Sequence, residues 1–266
     1  MLLSAGVVPM LEDMIQNFET CEAATALLLN LSCLDEAKPV IGSSQAVPFL
    51  IQFLEANNSR SHSCKHDALY ALFNLSTHPA NIPYLLTSGI IEQLQSLLTA
   101  PAGPSSYTWA EKALAVFVNL ASNTAAKKHI ISTTGLIGSI AAVLDDGEPT
   151  EQEQAVSCLL ILCSDNEKCS YLVLQEGVIP ALVLATANGT PRGKEKAQKL
   201  LKLFREQRQR EVSPVRTQLH EVHSVVTVGV GDGGGKDTSE CKSRSKRLGR
   251  ALTSMWKYKN WSRHQH

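Results

Sequence analysis

Two motifs recur along this chain of 266 residues at a common spacing, and that recurrence restricts its fold more than any other property. The first is an apolar run holding one asparagine: ATALLLNLS at 24–32, DALYALFNLS at 67–76 and AVFVNLAS at 115–122. Asn30, Asn74 and Asn119 stand 44 and 45 residues apart, and a further step of 43 reaches Leu162 in LLILCS, which keeps the pattern without the amide. The second runs in phase with it: AGVVPML (5–11), QAVPFLI (45–51), SGIIEQL (88–94), TGLIGSI (134–140) and EGVIPAL (176–182), at intervals of 39 to 46 residues. A helical pattern repeating every forty-odd residues implies small units that cannot bury their apolar faces alone and must stack to form a continuous core.

Composition agrees with an all-α chain: 44% of residues are hydrophobic, only 5% are aromatic, and leucine and alanine dominate. Each unit reads as three helices. A short first helix ends at Gly89, Gly135 or Gly177, where a left-handed cap is open to glycine. The second helix follows at once, with Pro48 or Pro180 near its first turn, where a missing N–H is harmless. It ends in polar breaks (EANNSRSH, APAGPSS, DDGEPT), and the third helix carries the asparagine motif. Five units fit, at about 1–34, 36–77, 79–122, 124–164 and 166–206, the first lacking its first helix because the chain begins almost inside the second. The run 193–211 reads as a capping helix, with Ala197, Leu200, Leu201, Leu203 and Phe204 inward and charges outward. The repeats thus occupy 1–211, and 212–266, rich in Gly, Ser, Lys and Arg, reads as a disordered tail.

A helical wheel of 67–75 places Ala68, Leu69, Leu72 and Leu75 on one side and Asn74 roughly opposite, with Tyr70 and Ala71 beside it. Stacking then aligns Asn30, Asn74 and Asn119 in a row. An amide both donates and accepts, so such a row can hold an extended partner chain by its backbone. Asn30, Tyr70, Asn74 and Asn119 are therefore the candidate partner-binding groove. The competing reading is that each amide only ties its unit to the next, since polar groups in packed regions are usually satisfied internally.

With these residues in view the chain resembles armadillo repeats, through GVVPML, ATALLLNLS, DALYALFNLS and GVIPAL, which implies a right-handed superhelical solenoid. The ending KEKAQKLLKLFREQRQRE, followed by a Ser/Lys/Arg tail, is similar more specifically to plant U-box armadillo-repeat ubiquitin ligases. The resemblance implies a protein partner, either a substrate or a receptor-kinase-like regulator, and a role in ubiquitination. In that family a preceding U-box recruits the ubiquitin-conjugating enzyme. No such segment is read here, so the expectation is a piece of a longer ligase that lacks activity by itself, or a stand-alone armadillo adaptor. Importin-like armadillo proteins pair each such Asn with a Trp four residues earlier. Here those positions are Ala26, Tyr70 and Ala115, so slots for lysine stems are mostly missing.

Other motifs carry less. In VVTVGVGDGGGKD (225–237), Gly229, Gly231 and Gly234 match a dinucleotide-loop spacing, but no apolar helix follows to receive a pyrophosphate, so a flexible linker is expected. His62, Cys64 and His66 lie close in HSCKH without a fourth ligand at a suitable spacing, so no metal and no cofactor is expected. Formal charge is zero overall, yet residues 241–266 hold eight Lys/Arg and no acid, leaving a net −8 on the remainder. That tail (Lys242, Arg244, Lys246, Arg247 and Arg250 in particular), with Leu248, Leu252 and Met255 at helical spacing, suits an acidic partner, an anionic membrane surface or nuclear targeting, or only keeps the chain soluble. An acidic body argues against nucleic acid as the general partner. The seven cysteines are scattered without a Cys-x-x-Cys, as expected of reduced thiols in a cytoplasmic or nuclear protein. The N-terminus lacks a signal-peptide pattern, and no apolar run reaches membrane-spanning length.

Overall fold

The computed structural model describes residues 6–17, 19–55, 62–99 and 109–226, with side chains described as far as residue 210. The chain divides into two units, 1–213 and 214–266. Fourteen α-helices are formed among the described residues, and they fall into five sets. The first set has two, α1 (Val7–Gln16) and α2 (Cys21–Ser32). The second is α3 (Lys38–Gly42), α4 (Ala46–Gln52) and α5 (His62–Ser76). In the third, a 3-10 turn at Pro79–Asn81 leads into α6 (Ile82–Thr87), followed by α7 (Ile90–Thr99) and α8 (Ala110–Leu120). The fourth is α9 (Thr124–Ser132), α10 (Leu136–Asp146) and α11 (Pro149–Cys163). The fifth is α12 (Glu167–Gln175), α13 (Ile179–Asn188) and α14 (Pro191–Val226).

Local chemistry explains the breaks. Gly89, Gly135 and Gly177 all lie at φ between +74° and +77°, and so does Gly6 at the corresponding point of the first set. This left-handed turn between first and second helices strains any residue with a Cβ. In the second set Ser43 and Ser44 replace the glycine, and both hydroxyls donate back to the helix they follow, Ser44 Oγ to Ile41 O at 2.8 Å. Two first helices start on asparagine caps: the Asn123 carbonyl accepts from the N–H groups of Ala125 and Ala126, and that of Asn166 from Cys169. Both satisfy helix-end donors that have no partner within the helix.

A buried alanine fixes the phase of the third helices. Ala24, Ala68, Ala113, Ala155 and Ala197 are all fully buried, and each lets the neighbouring helix approach closely. Four residues on, Leu28, Leu72, Phe117 and Leu159 fill the core, and seven residues on, Leu31, Leu75, Leu120, Leu162 and Phe204 form a second buried row. Each fully buried leucine contributes about 2 kcal/mol. The third helices pack in succession, α2 on α5, α5 on α8 and α8 on α11, while second helices pack α7 on α10 and α10 on α13.

Three sequence expectations change. Leu162 belongs to the buried leucine row, so the fourth-set counterpart of the asparagines is Ile161, half-buried, one residue earlier. Ala71 is fully buried rather than beside Asn74 on the open face, because α5 is covered by α2 on one flank and α8 on the other. The last helix does not stop at 211 but runs to Val226. Pro214, which has no N–H to give a helix, sits where the two units divide. Most of the Gly-rich stretch and all of Lys242, Arg244, Lys246, Arg247 and Arg250 lie outside the described residues. Among the described residues no single helix is long and apolar enough to cross a membrane.

Candidate functional site

Counting from the anchor alanine places each candidate residue. Six positions on stand Asn30, Asn74, Asn119, Ile161 and Leu203, and eight positions on stand Ser32, Ser76, Ala121, Cys163 and Arg205. The two rows meet across the joints between units. Asn74 Nδ2 donates to Ser32 Oγ at 2.9 Å and lies 3.5 Å from Cys33 Sγ. Asn119 Nδ2 donates to Ser76 Oγ at 2.9 Å. Each serine in turn donates into its own helix, Ser32 to Leu29 O at 2.6 Å and Ser76 to Phe73 O at 2.7 Å. Where the amide is lost at Ile161, the partner position of the preceding unit holds Ala121 instead of serine, so donor and acceptor disappear together. Asn30 is exposed and donates to Ala26 O in its own helix at 2.9 Å.

The structure thus brings Asn74 and Asn119 into ties between units, through a side chain rather than the backbone. It leaves part of each amide open. Among the described residues nothing donates to the side-chain oxygen, Oδ1, of Asn74 or Asn119, and a side-chain amide carries two donors and an acceptor.

Beside this row lies a cluster that the sequence reading did not anticipate. Lys112, one residue before its anchor alanine, reaches back from α8 over α5. Its Nζ stands 4.3 Å from the ring centroids of both Tyr70 and Phe73. His66 stacks on Tyr70 from one turn below, with centroids 4.3 Å apart and planes 26° from parallel, and its Nδ1 lies 3.1 Å from Asp67 Oδ1. Nearer the start of the same two helices, His62 stacks on Trp109 at 5.8 Å, and Lys65 Nζ sits 5.7 Å from that ring. Burial holds the Lys65 ammonium below its ordinary pKa. Tyr70 is thus 36% exposed but already occupied by a cation from its own chain. The signal was present as a lysine at the one-before-alanine position, which points at the preceding unit only once the helices are stacked. His62, Cys64 and His66 diverge: Cys64 is buried with its Sγ 3.9 Å from Cys21 Sγ, and both histidines stack on rings. Among the described residues no three His, Cys, Asp or Glu side chains are placed to hold a metal ion.

The last joint uses the same positions with different groups. Lys196 Nζ donates to Ser157 Oγ at 2.6 Å and pairs with Glu153 at 3.4 Å, and Thr190 Oγ1 donates to Glu153. Beyond it, α12, α13 and α14 line an open, mostly apolar cleft of about 630 Å³, with Tyr171, Leu174, Ile179, Val183 and Phe204 on its apolar side and Arg205 and Arg208 on its polar side. Ile137 and Ala141, the fourth-unit equivalents of Ile179 and Val183, are buried by the unit that follows them.

Over residues 2–223 the chain matches the family described as the plant U-box protein ARM repeat region. It is 48% identical over 273 residues to U-box domain-containing protein 45 of Arabidopsis thaliana, covering 100% of this chain and 34% of that protein. It is 50% identical over 274 residues to U-box domain-containing protein 7 of the same plant, covering 97% of this chain and 34% of that protein. The chain therefore spans about a third of the length of these curated relatives. In architecture it is similar to computationally designed armadillo repeat proteins for modular peptide recognition, with a TM-score of 0.67 and 21% identity over 76% of this chain and 84% of that one. A designed armadillo repeat protein in complex with the peptide (KR)4 superposes with a TM-score of 0.66, at 21% identity over the same shares of the two chains. These likenesses establish an armadillo-repeat fold.

Proposed function

The chain belongs to the family of plant U-box protein armadillo-repeat regions, and on that premise we propose that it is the substrate- or regulator-binding module of a protein acting in ubiquitination. The observation that carries this reading is the row of asparagine amides on the third helices, with side-chain oxygens that nothing donates to among the described residues at Asn74 and Asn119, and Asn30 exposed. An open amide oxygen accepts a peptide N–H, and a row of them at the repeat spacing fits a chain in extended conformation. Tyr70 borders the row and limits what side chains lie beside it. The partner is a protein segment, and the cytoplasm or nucleus is where such a module would meet it. Transfer of ubiquitin is assigned to the parts of the longer relatives that this chain does not span, and contact with a conjugating enzyme would need a U-box.

The grip and the tie separate by mutation. A random peptide library is selected against the full chain, and a recovered peptide is titrated. Asn74→Ala with Asn119→Ala should weaken it at least about tenfold, whereas Ser32→Ala with Ser76→Ala, which removes the ties but leaves the amides, should not. Equal loss in both pairs would show that the row only holds units together. Incubation of the chain with activating enzyme, conjugating enzyme, ubiquitin and ATP should yield no ubiquitin chains; robust chain formation would refute the division of labour.

A further inference from the structure

We propose that the groove between α5 and α8 takes an acidic segment, an extended peptide bearing aspartate or glutamate, rather than a basic one. The inference rests on the groove reading above. An aromatic face beside an open amide is a place for a cationic ligand side chain. Here the chain fills that place itself: the Lys112 ammonium stands over both Tyr70 and Phe73, and Lys65 stands over Trp109. Among the described residues neither ammonium is paired with a carboxylate. The Asp67 carboxylate of the same face is engaged by His66, and Glu111, exposed beside Lys112, is not paired with it. Two cations that are partly withdrawn from water and lack counter-charges attract an anion more strongly than fully solvated ones.

The geometry couples this charge to the amide row. Lys112 and Asn119 lie seven residues apart on α8, two helical turns or about 10.5 Å, so they share one face. A ligand side-chain carboxylate can therefore meet Lys112 while the ligand backbone, running across the third helices, meets Asn119. Long-range charge does not produce this preference, because residues 1–240 carry a net −8 and would repel an acidic peptide.

The test is fluorescence anisotropy of labelled (ED)4, (SG)4 and (KR)4 peptides titrated with the full chain. We expect (ED)4 to bind at least about tenfold more tightly than (KR)4 at low salt, the advantage shrinking as NaCl rises. Lys112→Gln should weaken (ED)4 about fivefold, the effect of one partly exposed charge pair, and Lys112→Arg, which keeps charge and stacking, should restore it. That pattern also excludes capture by the basic tail, which both variants retain. Binding of (KR)4 as tight as or tighter than (ED)4, or (ED)4 binding indifferent to Lys112→Gln, overturns the acidic assignment and leaves the groove standing. A chain that binds none of the three peptides and also fails the library selection loses the groove itself.

Discussion

The tie between Asn119 and Ser76 can be weighed in solution by a double-mutant cycle. In the structure Asn119 Nδ2 donates to Ser76 Oγ at 2.9 Å, and Ser76 is almost wholly buried. Asn119→Ala leaves the serine hydroxyl still donating to Phe73 O at 2.7 Å, so the loss is confined to one accepted bond. A neutral hydrogen bond contributes about 1 kcal/mol net, and no buried donor is stranded, so the single change should cost about that much and not more. Ser76→Ala strands nothing either, because the half-exposed Asn119 amide turns to water. The coupling energy from the two singles and the double should then be about 0.5–1 kcal/mol, read from urea midpoints at constant m value. Asn30→Ala serves as the reference, since among the described residues its amide bonds its own helix, at Ala26 O, and should show no coupling to Ser76. A coupling within about 0.2 kcal/mol of zero for Asn119 and Ser76 would refute the claim that this bond joins the units.

Further consequences can be checked in the same way. Installing the missing pair between the third and fourth units, Ile161→Asn with Ala121→Ser, should be more stable than Ile161→Asn alone by about 1 kcal/mol in urea unfolding; no difference would show that the rows do not meet there. Gly135→Ala, forced to hold φ +76°, should destabilise by about 1–2 kcal/mol, seen as a melting temperature lowered by several degrees. Burial raises the Cys158 thiol from its ordinary 9.0 to about 12, so folding favours the protonated form; the stability it lends is full below pH 9 and is lost as pH climbs toward 12, a decline visible in pH-dependent melting. At pH 8 iodoacetamide should modify exposed Cys33 and leave Cys158 intact, as peptide mass mapping would reveal.

Much of the scaffold was legible because its causes are local or periodic. Gly89, Gly135 and Gly177 were readable as left-handed turns, and Ala68, Leu69, Leu72 and Leu75 as the buried side of α5, from the chain alone. The phase of the fourth unit was not: its anchor alanine follows the third unit's by 42 residues where the earlier steps are 44 and 45, so counting from Asn119 fell on the leucine row rather than the asparagine row. The site was legible only in part. Asn30, Asn74 and Asn119 stood out as amides in apolar runs. Ser32 and Ser76 did not, because a serine ending a helix is unremarkable until the next helix is laid against it. Lys112 read as one more exposed charge, since its two rings belong to the preceding unit.

The two asparagine-to-serine bonds point the same way, from α5 back to α2 and from α8 back to α5, and this gives that part of the stack a polarity. An acceptor at the end of one unit waits for a donor that only the next unit supplies. A foreign repeat grafted after the second unit would gain about 1 kcal/mol if it brings an asparagine to Ser76, whereas one placed after the third meets Ala121 and has no such bond to make. Asn30 is bonded instead to its own helix, at Ala26 O. Reordering these units would therefore scramble the joints even where every apolar contact was preserved.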